Sequence, residues 1–288
     1  MEKNLKEIIF EKLDPTKIAR IESNTQELLT AIGLVARLRG PHGCPWDQKQ
    51  DHLSLRPYLI EEAYEVLDAL DEQNSPSQKS NQHLCEELGD LLLQILLHSE
   101  LSSERGEFTV GDVASQMTKK IVHRHPHVFG DVKVSGADEV LKNWESLKKK
   151  EGRKFLLDGI PKNLPSLQKA SRIGEKAHRI QFDWKTWQEV WKKVEEELQE
   201  LKEAICENNG NVKNHIEEEL GDMFFTLCQL ARHLKIEPED AHRKAIQKFE
   251  KRFRKMEEFF EERKKDIHSV TSEELETAWE NFKNAELT

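Results

Sequence analysis

A chain of 288 residues with 54 acidic against 44 basic side chains carries a formal charge of −10 and a pI near 5.7. That balance excludes a general nucleic-acid binder, whose footprint is a basic face, but leaves a phosphate ligand open, since a metal or a few local cations can invert the field. The first residues, Met1 to Asp14, lack a signal peptide's apolar core and the longest aliphatic runs (Leu91–Leu93, Ile95–Leu97) are too short to span a bilayer, so a cytoplasmic protein with no membrane partner is expected.

Taken in chain order, nearly every periodic segment reads as helix, rich in Glu, Lys, Leu, Ala and Gln, and strand-like alternation is almost absent. Residues 1–27 read as an appended extension. Segments 52–71 and 84–102 form a helical pair across an Asn/Pro/Ser-rich loop from Asp71 to Gln82, followed by a third helix at 110–122 and a fourth at 138–150. Gly152 to Pro165 reads as a hinge. Segments 187–207 and 212–235 form a second pair through Asn208-Asn209-Gly210-Asn211, with a third helix at 238–265 and a fourth at 272–285. The expected division is an extension at 1–27, a first domain at 28–151, a linker at 152–165 and a second domain at 166–288. Cys44, Cys85, Cys206 and Cys228 show no Cys-x-x-Cys spacing, which disfavours zinc and fits buried thiols in a reducing compartment.

One acidic pattern is written twice. Glu61-Glu62-x-x-Glu65 precedes Glu87-x-x-Asp90, and Glu196-Glu197-x-x-Glu200 precedes Glu219-x-x-Asp222; both second members sit in Glu-Glu-Leu-Gly-Asp. Residues i and i+3 share a helix face. Glu62, Glu87, Glu197 and Glu219 each lie on their helix's apolar stripe, between Leu59 and Val66, Leu84 and Leu91, Val194 and Leu201, and Ile216 and Met223. Carboxylates gathered there repel unless a cation sits between them, and the cation suited to oxygen ligands is Mg²⁺, with Mn²⁺ a possible substitute. Solvated acidic faces are the common alternative in so charged a chain. Gly89 and Gly221, inside these helices, are expected to mark a close approach of a helix or ligand.

The duplication extends further. Lys120 and Arg124 correspond to Lys248 and Arg252, spaced i, i+4, and Trp144 and Lys148 to Trp279 and Lys283, in the same order. Metal-binding acids, a Lys/Arg pair for phosphates and a Trp face for a base make the inventory of a nucleotide site. No Walker A motif or Gly-rich dinucleotide loop occurs. His123-Arg124-His125-Pro126-His127 reads as a structural or phosphate-facing turn rather than a zinc site, because Pro126 interrupts the helix.

These motifs resemble the MazG family of nucleoside triphosphate pyrophosphohydrolases over about residues 28 to 288. The resemblance is carried by Arg37 to Gly40 with Gly43-Cys44-Pro45-Trp46-Asp47, Leu59 to Asp68, Glu86 to Asp90, and Arg124 to Phe129. The second half adds Phe182-Asp183-Trp184, Glu196 to Glu200, Glu217 to Asp222, Ala231 to Leu234, and Lys248 to Phe253. The resemblance implies an all-α protein of two tandem MazG-like domains forming four-helix bundles, assembled as a homodimer. It implies Mg²⁺-dependent hydrolysis of nucleoside triphosphates to monophosphate and diphosphate, broad base tolerance and clearing of nucleotide pools. By position, Glu197, Glu200, Glu219 and Asp222 look like the metal ligands of a second site, with Glu62, Glu65, Glu87 and Asp90 their equivalents in the first. His215, Lys248, Arg252, Trp279 and Lys283 look like nucleotide contacts, matched by Lys120, Arg124, Trp144 and Lys148. Glu196 or Glu218 is a candidate proton acceptor. Ile246 stands where similar proteins often carry Asn, and His215 where they often carry Lys. Two alternatives remain open: a narrower enzyme of the same fold (deoxyuridine triphosphatase-like or phosphoribosyl-ATP pyrophosphohydrolase-like) and a non-catalytic Mg²⁺–nucleotide sensor.

Overall fold

A computed structural model describes residues 4–73, 75–137, 139–140, 143–144, 147, 155–206 and 212–285, and it divides into a first unit, Met1–Lys148, and a second, Lys149–Thr288. Among the described residues the regular structure is entirely helical.

In the first unit a short helix α1 (Leu5–Phe10) leads into α2 (Pro15–Arg39), whose start is set by Asp14 accepting from the Thr16 amide and by Pro15 in the first turn. The helix runs through the expected boundary at residue 27. It ends at Gly40, and the chain then doubles back tightly: a Cβ on Gly43 would lie 2.0 Å from the Leu38 carbonyl oxygen, so only glycine fits. Arg39, whose side chain is 5% exposed, ties this turn down. It pairs with Glu104 (Nε–Oε1 2.7 Å, Nη2–Oε2 2.9 Å) and donates to the carbonyls of Asp47 and Gln50. The Gly-Cys-Pro-Trp-Asp motif is therefore a strap closing α2 onto the next hairpin.

That hairpin is α3 (Arg56–Glu72) and α4 (Gln78–Glu104). The second helix begins a turn and a half earlier than expected, because Ser77 caps it and exchanges hydrogen bonds with Ser80. Helices α2 and α4 share the core of Val35, Leu55, Leu96, Leu97 and Leu101, and α5 (Val110–Arg124), capped by Thr109, leans on α4. Helix α5 stops at His125, and Pro126 opens the single turn α6 (Pro126–Phe129). The expected helix at 138–150 lies largely outside the described residues.

The second unit opens with a helix the periodicity did not reveal, α7 (Ser166–His178). It packs on the hairpin formed by α8 (Trp187–Cys206) and α9 (Val212–His233). Val190, Val194 and Leu230 form the core there, with Trp184 and Met223 against it. Helices α10 (Pro238–Glu262) and α11 (Ser272–Ala285) close a second cluster around Met256, Phe260 and Ala278. The α7–α9 seam depends on Gly174: a Cβ there would stand 1.8 Å from Gln229 Oε1 and 2.6 Å from Arg232 Nε. Gln229 is 1% exposed and donates to the Ala170 carbonyl. Gly174→Ala is expected to destabilise the unit by about 1–3 kcal/mol, read as a lower urea midpoint, since this side chain has no room to retreat. An unchanged midpoint would show that the seam yields.

All four cysteines are free, but only Cys228 is buried; Cys85 and Cys206 are exposed, against the expectation of buried thiols. Burial pushes the Cys228 thiol up to about 11. No helix of the described residues is long and apolar enough to cross a membrane.

Candidate metal and nucleotide sites

Each hairpin gathers carboxylates. Ligand atoms of Glu62, Glu87 and Asp90 lie within 4.8 Å of one another in the first unit, as do those of Glu197, Glu200 and Glu219 in the second. Glu62, Glu87 and Glu219 are half-buried and Glu197 is 5% exposed, as their places on the apolar stripes require. The fourth acid of each set stands outside its trio. Glu65 is exposed beside Glu62, and Asp222 is exposed one turn beyond Glu219.

The crowding has an electrostatic signature. The Glu62 carboxyl is raised above the ordinary carboxylate range, first by loss of solvent and then by its hydrogen bond with Glu65 and the charges of Glu65 and Asp90. The Glu200 carboxyl is raised too, by desolvation and by Glu197, Glu196 and Glu219, with Lys193 opposing. A hard divalent cation bound by oxygens would relieve this repulsion, so the donor sets fit one.

Three side chains partner the acids, and two of them, Lys193 and His83, were not singled out from the sequence. Lys193 reaches Glu196 (2.7 Å), Glu197 (2.9 Å) and the edge of Glu200 (4.0 Å), and its hydrogen bonds to Glu196 and Glu197 raise its own pKa. His83 sits 3.2 Å from Glu87 and 3.1 Å from Glu72, and His215 sits 3.2 Å from Glu219. Each histidine precedes its glutamate by four residues, and Lys193 precedes Glu197 by four. That spacing was the available signal. His215, expected as a nucleotide contact, is thus engaged with a metal-ligand candidate.

The basic and aromatic residues come from the other helices. Lys248 and Arg252 lie on α10, the former exposed and the latter half-buried. Trp279 on α11 is half-buried, rests 4.8 Å from the Phe249 ring and packs on the Met256–Phe260 cluster, so it anchors the core as well as presenting a face. Lys283 pairs with Glu280 at 3.0 Å. In the first unit Lys120 is exposed, and Arg124 stands 5.6 Å from the Trp144 ring, against which His125 packs edge-on at 4.8 Å. Lys148 lies outside the described residues. No histidine of the 123–127 turn joins a metal-capable group among the described residues. The close approach expected at Gly89 and Gly221 is not made within the described residues: a Cβ on either would meet nothing within 4 Å.

Two helical hairpins, each bringing three carboxylates drawn from both of its arms within 4.8 Å of one another, define an all-helical architecture written twice in the chain. The sequence matches the MazG nucleotide pyrophosphohydrolase domain model twice, at residues 50–129 and 185–256. It is 42% identical to the "Nucleoside triphosphate pyrophosphohydrolase/pyrophosphatase MazG" of Thermotoga maritima over 260 residues, covering 89% of this chain and 96% of that protein. It is 36% identical to the nucleoside triphosphate pyrophosphohydrolase of Escherichia coli K12 over 265 residues, 89% and 97% of the two chains. It is also 41% identical over 263 residues to the uncharacterized protein YabN of Bacillus subtilis, spanning 90% of this chain and 52% of that one. The chain belongs to the MazG family of nucleotide pyrophosphohydrolases, hydrolases that act on phosphoric anhydride bonds.

Proposed function

We propose that this chain hydrolyses nucleoside triphosphates to monophosphate and diphosphate with Mg²⁺, or Mn²⁺ in its place, accepts most bases, and clears nucleotides from the cytoplasm. The observation that carries the reading is the convergence of three carboxylates in each hairpin at positions where an unneutralised cluster is costly. Glu197, Glu200 and Glu219 would hold the cation, joined by Asp222 from the next turn, with Glu62, Glu87, Asp90 and the adjacent Glu65 the first-unit counterparts. When bound, such a cation polarises a phosphoryl oxygen and eases deprotonation of an attacking water. Lys248 and Arg252 neutralise the phosphate tail, Arg252 in bidentate fashion. Trp279 offers a face on which any base can stack, the physical ground for base tolerance. Glu196, which pairs with Lys193 at 2.7 Å, and Glu218 are the two candidate proton acceptors.

A second copy of the chain completes the fold in this reading. Leu88, Leu92 and Ile95 on α4 are 50%, 36% and 43% exposed, and Leu220, Phe224 and Leu227 on α9 are 40%, 52% and 41% exposed. Both sets repeat at i, i+4, i+7, beside the open positions Gly89 and Gly221. Such paired stripes mark an association surface, and two hairpins joined along them make a four-helix bundle. Sedimentation equilibrium should give twice the 33.6 kDa chain mass; a monomer would refute this part.

Product analysis with a panel of triphosphates is the direct test of the activity. The expected result is monophosphate plus diphosphate from most bases, abolished by EDTA. One favoured base would indicate a narrower enzyme, saturable binding without turnover a sensor, and release of orthophosphate a different cleaved bond.

A further inference from the structure

Among the described residues, two buried side-chain atoms lack a hydrogen-bond partner, Gln94 Oε1 and His98 Nε2. Asp90, Gln94 and His98 follow one another at four-residue steps along α4, so both orphaned atoms stand behind the first acidic cluster on the face that carries it. Gln94 is 5% exposed, and its Nε2 lies 3.5 Å from Glu62 Oε1. An ionised carboxylate only accepts, so the amide must turn its N–H to Glu62 and its oxygen away.

The remaining links then follow one from another. Gln94 Oε1 needs a donor; His98 does not reach it directly, but a water between the two can pass one on if His98 Nε2 carries the ring proton. His98 Nδ1 is then a bare acceptor, 2.8 Å from His52 Nδ1, which must carry the proton between them. That leaves His52 Nε2 as the acceptor for the Ser102 hydroxyl at 3.4 Å, on a residue 1% exposed. The two ring planes lie within 6° of each other with centroids 5.1 Å apart, as an in-plane hydrogen bond between ring edges requires, and burial together with the neighbouring His52 lowers the His98 pKa, in keeping with a neutral pair. The second-unit positions that correspond to Gln94, His98 and Ser102 are Thr226 and Leu230 on α9 and Leu234 just past its end, which cannot form such a chain; there Glu197 takes the Lys193 ammonium instead.

We propose that Ser102, His52, His98 and Gln94 form a one-directional hydrogen-bond relay, with a buried water joining His98 Nε2–H to Gln94 Oε1, that positions Glu62 to bind a divalent cation. The water would have two polar partners and a closed site. The positioning role rests on the cation reading given above; the direction of the relay does not.

Long-range ¹H–¹⁵N spectra of the metal-free full chain at about pH 8.5, where histidines are neutral, read the direction, with His52→Gln and His98→Gln assigning the signals. The expected result is Nε2–H on His98 and Nδ1–H on His52. The opposite pair of tautomers overturns the relay whatever the metal does. Mn²⁺ alone is then titrated into the full chain carrying Glu219→Gln, with and without Gln94→Leu. The expected loss of affinity on removing Gln94 is about tenfold, as for other groups that orient a ligand. Unchanged affinity overturns the positioning role. A chain that binds no Mn²⁺ yet shows the expected tautomers overturns the cation reading and upholds the relay.

Discussion

Glu219→Gln is expected to lower turnover of nucleoside triphosphates by about 100-fold or more while leaving the helical content and thermal midpoint close to those of the parent chain. The amide keeps the shape of the carboxylate but removes one charge from the trio of Glu197, Glu200 and Glu219. A metal-assisted step draws several kcal/mol from charge placement, and each 1.36 kcal/mol is a factor of ten in rate. The fold should tolerate the change, because Glu219 makes its contact with His215 at the rim of the hairpin, with its side chain 15% exposed. Glu87→Gln is the matched substitution in the first unit. If Glu219→Gln retains full activity and Glu87→Gln does not, the working site is the first. We favour the second because α10 carries Lys248 and Arg252 on one uninterrupted helix, whereas α5 ends at Arg124, at the Pro126 break. The order of metal affinity is a separate matter: Lys193 already neutralises part of the second cluster, and among the described residues no lysine does so in the first.

The acidic hairpins were legible in the sequence because an ionisable residue on an apolar stripe contradicts its own neighbourhood, and the contradiction recurred in the same order in both halves. Lys193 was not, since Lys192-Lys193 on a charged helix looks like a solvated face until Glu197 is seen one turn away. Gln94 was not, since a neutral amide on an apolar stripe disturbs no charge pattern. Helix α7 begins directly after Pro165, inside the expected second domain but ahead of the first helix expected there at 187, and the first turn of α4 hid in a serine-rich run whose Ser77 is a cap rather than a loop residue. Several motifs that carry the family likeness are scaffold: Gly43 and Arg39 form a strap, and Asp183 and Arg232 a clasp.

Asp183→Asn is expected to destabilise the second unit by about 3–5 kcal/mol near neutral pH, the range for breaking a buried ion pair from one side. The Asp183 side chain is 5% exposed and takes both arms of Arg232 (2.6 and 2.9 Å), with His233 at 3.1 Å, His178 at 2.8 Å and the Trp184 amide at 3.0 Å. Burial raises its pKa, but the hydrogen bonds from Arg232 and His233 and their charges outweigh burial and hold it at about 2, below its ordinary 3.8. The sign follows: a carboxylate with a depressed pKa contributes stability above its unfolded value, and that contribution is lost as pH falls from about 3.8 through about 2. Urea midpoints of parent and variant should therefore differ widely at neutral pH and draw together across that acid window. A gap that persists unchanged to pH 2 would mean that the amide disrupts packing rather than charge. The double variant Asp183→Leu with Arg232→Met separates the two: by removing both partners it should cost far less than Asp183→Asn, because no guanidinium is left buried alone. Neither substitution touches the acidic trio, so the metal binding proposed at Glu197, Glu200 and Glu219 should survive wherever the unit remains folded, and that retained binding distinguishes a clasp that holds the hairpin from a residue that serves the site.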